Sequence, residues 1–223
     1  MTYWRAVTAI LWKDVRAELR TKDIFSSMFV FALLAVIIFD FAFELRVPNM
    51  AMVAPGIIWV AITFAGTLGL NRAFVIEMDK GSLAGLLLAP VDRSAIYFGK
   101  MLGNLVFMLV VEAILLPLVM VLFNLPLLTW EQVLVLLLGS YGFAAVGTTF
   151  AAIAVNTRAR EVMLPVLLFP VLVPVLVAGV KMTGALLDGE SLASLGNWLR
   201  LTVIYDVGFT VVSYLTFGYV VEE

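Results

Sequence analysis

Six apolar runs follow one another along the chain, each about as long as a bilayer's hydrocarbon core is thick. They fall at roughly 24–45, 51–75, 100–123, 131–155, 162–181 and 199–220. A spanning helix needs about 20 mostly apolar residues. Lipid offers no water to a bare N–H or C=O group, so runs of this length are read as helices that satisfy their own backbone. Composition agrees: 63% of residues are hydrophobic and 13% charged, where soluble domains carry about 45–50% and about 25%. The expected fold is an all-α polytopic membrane protein with one transmembrane unit over residues 1–223. No linker or low-complexity tract divides it.

Basic residues set the expected orientation. One side receives Arg5, Lys13, Arg16, Arg20, Lys22, Arg72, Lys80, Arg93, Lys100, Arg158 and Arg160; the other receives Arg46, Lys181 and Arg200. The richer side is expected to be cytoplasmic, and an even number of spans puts both termini there, with segments 76–100 and 156–161. Residues 1–23 lack the pattern of a secretory signal, because their basic residues spread along the whole stretch. Trp4, Val7, Leu11, Val15 and Leu19 share one helical face, with Arg5, Lys13, Arg16 and Arg20 opposite; only Glu18 breaks the pattern. The expectation is an amphipathic helix on the membrane surface. The plainer alternative is a basic flank to the first span.

Small residues recur every fourth position at Ala61, Ala65, Gly69 and Ala73, and again at Ser140, Ala144, Thr148 and Ala152. Such stripes let helices approach closely in lipid. The fifth run holds Pro165, Pro170 and Pro174, so a kinked or broken helix is expected there. Four acids sit at membrane depth. Glu112 is central in the third run. Its two readings are a functional group or a protonated acid bonded to a neighbouring helix. Asp40, Glu44 and Asp206 lie nearer the ends of their runs and are expected to be solvated and structural.

With no cysteine and no histidine, the chain cannot build the usual zinc sites, disulfides or histidine-based acid–base catalysis. Only Met or Tyr is left as a haem ligand. Nor is there a phosphate-binding P-loop: Gly99-Lys100 has Ser94 in place of the first glycine, and Met101 follows.

The stretch between the second and third runs reads "VIEMDKGSLAGLLLAPVDRSAIYFGK". Ser82 after Gly81 is expected to cap a short helix. Leu83, Leu86 and Leu87 then share one side, and Pro90 ends it. Such a helix, with Glu77 and Asp79 before it, suits docking into a groove on a soluble partner. It equally suits leucines resting on the bilayer.

The blocks "APGIIWVA" at 54–61, "LGLNRAF" and "DKGSLAGLLLAPVDRSAIYFGK" together resemble the CcmB family, the haem exporter protein B permeases of cytochrome c biogenesis ABC transporters. The start "YWRAV" and the proline-rich "LPVLLFPVLVPVL" fit the same family. More broadly, the layout resembles ABC-2 type permeases, with an elbow helix over 1–23 and a coupling helix within 77–93. The resemblance implies that a CcmA-like ATPase docks on that segment and holds the ATP. It also implies that haem is handled by CcmC-like and CcmD-like membrane subunits and a CcmE-like periplasmic chaperone. No cofactor is then expected on this chain itself, and no nucleic acid among its partners. A bacterial inner membrane is the implied location. ATPases of this kind act in pairs, so a homodimer is expected, and the Ala61–Ala73 stripe suits that contact or, equally, packing between helices of one chain. The alternatives are an ABC-2 exporter of lipid, glycan or drug, and a secondary transporter passing protons by Glu112. An intramembrane enzyme fits least, since no catalytic pair stands out.

Overall fold

Each expected apolar run is a helix in the computed structural model, which describes residues 2–43, 47–79, 81–155, 157 and 159–222, without the side chains of residues 79, 83, 84, 87, 160, 161 and 222. The helices are α1 (Tyr3–Thr21), α2 (Asp23–Phe43), α3 (Ala54–Asp79), α4 (Ser82–Leu88), α5 (Arg93–Phe123), α6 (Trp130–Val155), α7 (Arg160–Leu187) and α8 (Gly196–Glu222), with 3-10 turns at Met50–Met52 and Leu192–Leu195. Six helices, α2, α3 and α5 to α8, are long and apolar enough to cross a membrane. Among the described residues there is no strand. Glu44, Arg46, Lys80 and Arg158 lie outside the described residues.

Several spans outrun the apolar runs that announced them, α5 and α7 by the most. Helix α5 starts at Arg93 because Asp92 caps it, accepting from the Ser94 hydroxyl at 2.7 Å and the Ser94 N–H at 2.9 Å. Those bonds, the hydroxyl's foremost, hold the Asp92 carboxyl below its ordinary value. Helix α7 runs unbroken through Pro165, Pro170 and Pro174 to Leu187. Of the kink or break expected, the break does not occur. Each proline removes one helix bond, whereas a break in lipid would strand several backbone groups at once.

Helices α3 and α6 are the most enclosed spans. Both small-residue stripes are spent inside the chain. Ala61 and Ala65 are buried, and Gly69 sits against Met28 of α2, where any β-carbon would overlap the sulfur. Of the two uses expected for this stripe, packing within the chain is the one its first three positions take, while Ala73 is half-buried. The α6 stripe of Ser140, Ala144, Thr148 and Ala152 is buried throughout.

The two ends of the bundle differ. At one end, Trp59 of α3 drives its ring between Gly139 of α6 and Gly179 of α7. Its indole N–H donates to Thr183 Oγ1 at 3.0 Å, and Gln132 Nε2 donates to the Thr183 carbonyl at 3.0 Å. The other end holds α1, the close of α3, α4 and the start of α5. The end of α8 returns there, with Phe217 on Tyr97 at 5.5 Å between ring centroids and Gly218 beside Arg93. Both chain ends thus share one end of the bundle.

A side chain at Gly139 must displace the Trp59 ring. Gly139→Val should lower the unfolding midpoint of the detergent-solubilised protein, at a cost of about 1–3 kcal/mol for an overpacked seam. Gly56→Ala, where the added carbon meets open space, should leave the midpoint nearly unchanged.

Candidate functional site

Helix α1 lies along the first turns of α5, in a seat cut by two glycines. A β-carbon at Gly99 would stand 2.7 Å from Ile10 Cβ and 3.2 Å from the Val7 carbonyl; Gly103 faces Asp14 and Leu11. This seat brings Lys13 and Asp14 over Glu77 near the end of α3 and Lys100 of α5. Lys100 Nζ is 2.8 Å from Asp14 Oδ2 and 2.6 Å from Glu77 Oε2. Lys13 Nζ pairs with Glu77 Oε1 and lies 3.1 Å from Asp14 Oδ1. Each lysine therefore touches both carboxylates, and the four charges sum to zero. The Lys100 side chain is 2% exposed, and its ammonium stands 5.8 Å from the centre of the Phe74 ring. A buried ammonium is tolerable only when paired and hydrogen-bonded. Burial works against the charge on Lys13, but Asp14 and Glu77 together outweigh it and hold the ammonium above the usual lysine value. A raised value means that this pairing stabilises the fold at neutral pH and is lost as pH climbs past the lysine range.

A cavity of about 320 Å³ opens beside the ring, lined by Lys13, Asp14, Glu18, Asp23, Glu77 and Lys100 among others. Glu18, the residue that spoiled the two-faced pattern of α1, accepts from the Phe25 N–H at 2.8 Å and so caps the first turn of α2. Lys22 makes the turn between the two helices in the left-handed region, at φ 58°.

Helix α1 has three faces rather than the two expected. Ala6, Val7 and Ile10 are buried against α5. Trp4, Trp12 and Leu19 are exposed, and so are Arg5, Arg16 and Arg20. Val7 and Lys13 thus leave the faces assigned to them. A helix at the rim of a bundle touches protein as well as its surroundings, so one apolar stripe cannot serve both.

The segment expected to dock a partner divides in two. Glu77, read as a docking residue, turns inward and is buried in the ion-pair ring. Asp79 is the last residue of α3; its side chain lies outside the described residues. Gly81 takes φ 66°, which favours glycine, and stands as the cap residue ahead of α4. Ser82 is not the cap expected of it. It is the first residue of α4, and its hydroxyl donates back to the Glu77 carbonyl at 3.3 Å. The helix ends at Leu88 and Pro90 follows, as expected. Leu86 packs partly on the core, while Leu88 is 86% exposed. The side chains of Leu83 and Leu87 lie outside the described residues.

Neither intramembrane acid joins this site. Glu112 is buried and accepts from the Ser140 hydroxyl of α6 at 2.5 Å. Asp206 is 4% exposed, wedged against Gly142, and neither oxygen has a hydrogen-bond partner among the described residues. The solvated role expected of it does not hold: α8 starts at Gly196, so Asp206 lies well inside the helix. The sequence reading missed Asp14 and treated Lys100 as the end of a loop. The available signal was a lysine sharing a helix start with Gly99 and Gly103.

The fold is that of a multi-pass helical membrane protein, with a short helix outside the spans rooted on an ion-pair ring. The CcmB protein family model matches residues 5–222, and the chain belongs to that family. It is 31% identical over 176 residues to a heme exporter protein B of Rhodobacter capsulatus, covering 78% of this chain and 80% of that one. The protein of the same name from Pseudomonas aeruginosa is 26% identical over 202 residues, 90% of each chain. That from Paracoccus denitrificans is 28% identical over 174 residues, 78% of this chain and 80% of that one.

Glu112→Gln keeps an acceptor for Ser140 and should leave the unfolding midpoint near that of the parent. Glu112→Leu strands the Ser140 hydroxyl and should cost about 1–3 kcal/mol, read as a lower midpoint in the same detergent.

Proposed function

We propose that this chain is the permease subunit of an ABC transporter serving cytochrome c maturation, with an ATPase subunit docking on residues 81–92. The observation that carries the reading is α4. It is a seven-residue helix outside the six spans, with an exposed leucine, held between two spans that are tied to each other by buried charge. The excess of basic residues at that end supports a cytoplasmic face for it. Both chain ends lie on that side, and the membrane is a bacterial inner membrane.

The relatives carry the name heme exporter, which supports haem as the cargo, or as the group whose chaperone is loaded at the periplasmic face. Without histidine or cysteine, this chain is poorly equipped to ligate haem. The ligands belong to CcmC-like and CcmD-like partners and a CcmE-like chaperone. ATP belongs to a CcmA-like subunit. This chain's part is to carry the motion between them. One chain offers one α4, so a pair of ATPase subunits calls for two copies of the chain, meeting through a surface other than the Ala61–Ala73 stripe.

Replacing Leu83, Leu86 and Leu87 with serine should abolish co-purification of the ATPase subunit while the chain still inserts. Retention of the ATPase at normal stoichiometry would refute docking at α4.

A further inference from the structure

We infer that the Lys13–Asp14–Glu77–Lys100 ring is a joint, by which α1 and the root of α4 move as one body when a partner displaces α4. This rests on the docking reading above and adds to it the part that α1 plays.

Three observations carry the inference. First, the ring joins three helices, and each of its members touches two oppositely charged groups. A single pair can rotate about its contact, whereas four charges in alternation hold α1 at two adjacent positions, Lys13 and Asp14. Second, the ring sits at the two roots of α4. Glu77 lies in the last turn of α3, and the Ser82 hydroxyl of α4 is bonded to the Glu77 carbonyl. Lys100 lies in the second turn of α5, downstream of the Asp92 cap. Any displacement of α4 therefore reaches the ring directly at Glu77, and at Lys100 through the first two turns of α5. Third, Gly99 removes the side chain that would otherwise hold α1 away from α5. Contact is then close enough that α1 cannot slide without parting the charges. Separating one lysine from its two acids leaves like charges facing each other in a buried site, so the ring favours motion of the whole over motion of any one helix.

The chain has no cysteine, so spin labels can be placed cleanly. Trp12 on α1, Met78 beside the root of α4 and Tyr219 near the end of α8 are exposed and lie outside the ring. Double electron–electron resonance on the complex with its ATPase subunit compares the nucleotide-free state with one trapped by ATP and orthovanadate. The expected result is a Trp12–Met78 distance that stays fixed between the two states while the Met78–Tyr219 distance changes. In Lys100→Met, with the ATPase still bound, the Trp12–Met78 distance should broaden and become nucleotide-dependent; Lys100→Arg should restore the fixed distance. Should Lys100→Met fail to insert, Lys13→Met opens the ring from the α1 side and should give the same loss. A Trp12–Met78 distance as sharp in these variants as in the parent refutes the joint, as does one that already shifts with nucleotide in the parent. A Met78–Tyr219 distance indifferent to nucleotide in the parent strikes instead at the docking reading, and the joint falls with it.

Discussion

A lysine ammonium withdrawn from water must find carboxylates, and for Lys100 they come from two different helices. That requirement fixes more of this molecule than any other contact described. Asp14 cannot reach Lys100 unless α1 lies in the Gly99 and Gly103 seat. Glu77 cannot reach it unless α3 continues past its apolar run to Asp79. Once both are in place, the chain has only residues 80–92 in which to leave α3 and enter α5. Gly81 and Pro90 then confine it to one short helix. The elbow-like helix, the length of α3 and the position of α4 are consequences of one buried charge.

The far end of the bundle is held by the opposite kind of contact. Trp59 fills the space left by Gly139 and Gly179, and its one polar atom is satisfied by Thr183. Dry packing of this sort changes little with small displacements until it fails, since cores are close-packed rather than compliant. At the other end, the ring binds charge to charge across three helices and resists parting, while α4 beyond it leaves Leu88 exposed. The bundle is thus held at both ends, by dry packing at one and by paired charge at the other.

The spans were legible in the sequence because the rule behind them is local: lipid forbids unpaired backbone, and a run of about 20 apolar residues has one way to comply. The stop at Pro90 was equally local. The ring was not legible, because Lys13 and Glu77 are 64 positions apart and nothing in the period of either helix reports the other. Read alone, Glu77 is one more charge in a charged stretch, and a loop residue by default. Asp206 was misplaced for a related reason. Its depth was judged from where the apolar run starts, whereas α8 begins at Gly196 and Gly142 of another helix makes the niche that buries it. The third face of α1 escaped because a helical wheel separates apolar from charged positions but does not say which apolar positions meet protein.

Helix α5 is 31 residues long, which at about 1.5 Å per residue is about 46 Å. The hydrocarbon core of a bilayer is about 30 Å thick. The apolar run starts near residue 100, so the surplus lies at the start of α5, where Gly99 and Lys100 seat α1 at the edge of the apolar stretch. The depth of α1 is thus referenced to α5 and not to the headgroups. A bilayer that thins or thickens slides along the shaft of α5 and leaves the spacing between α1 and α4 as it was.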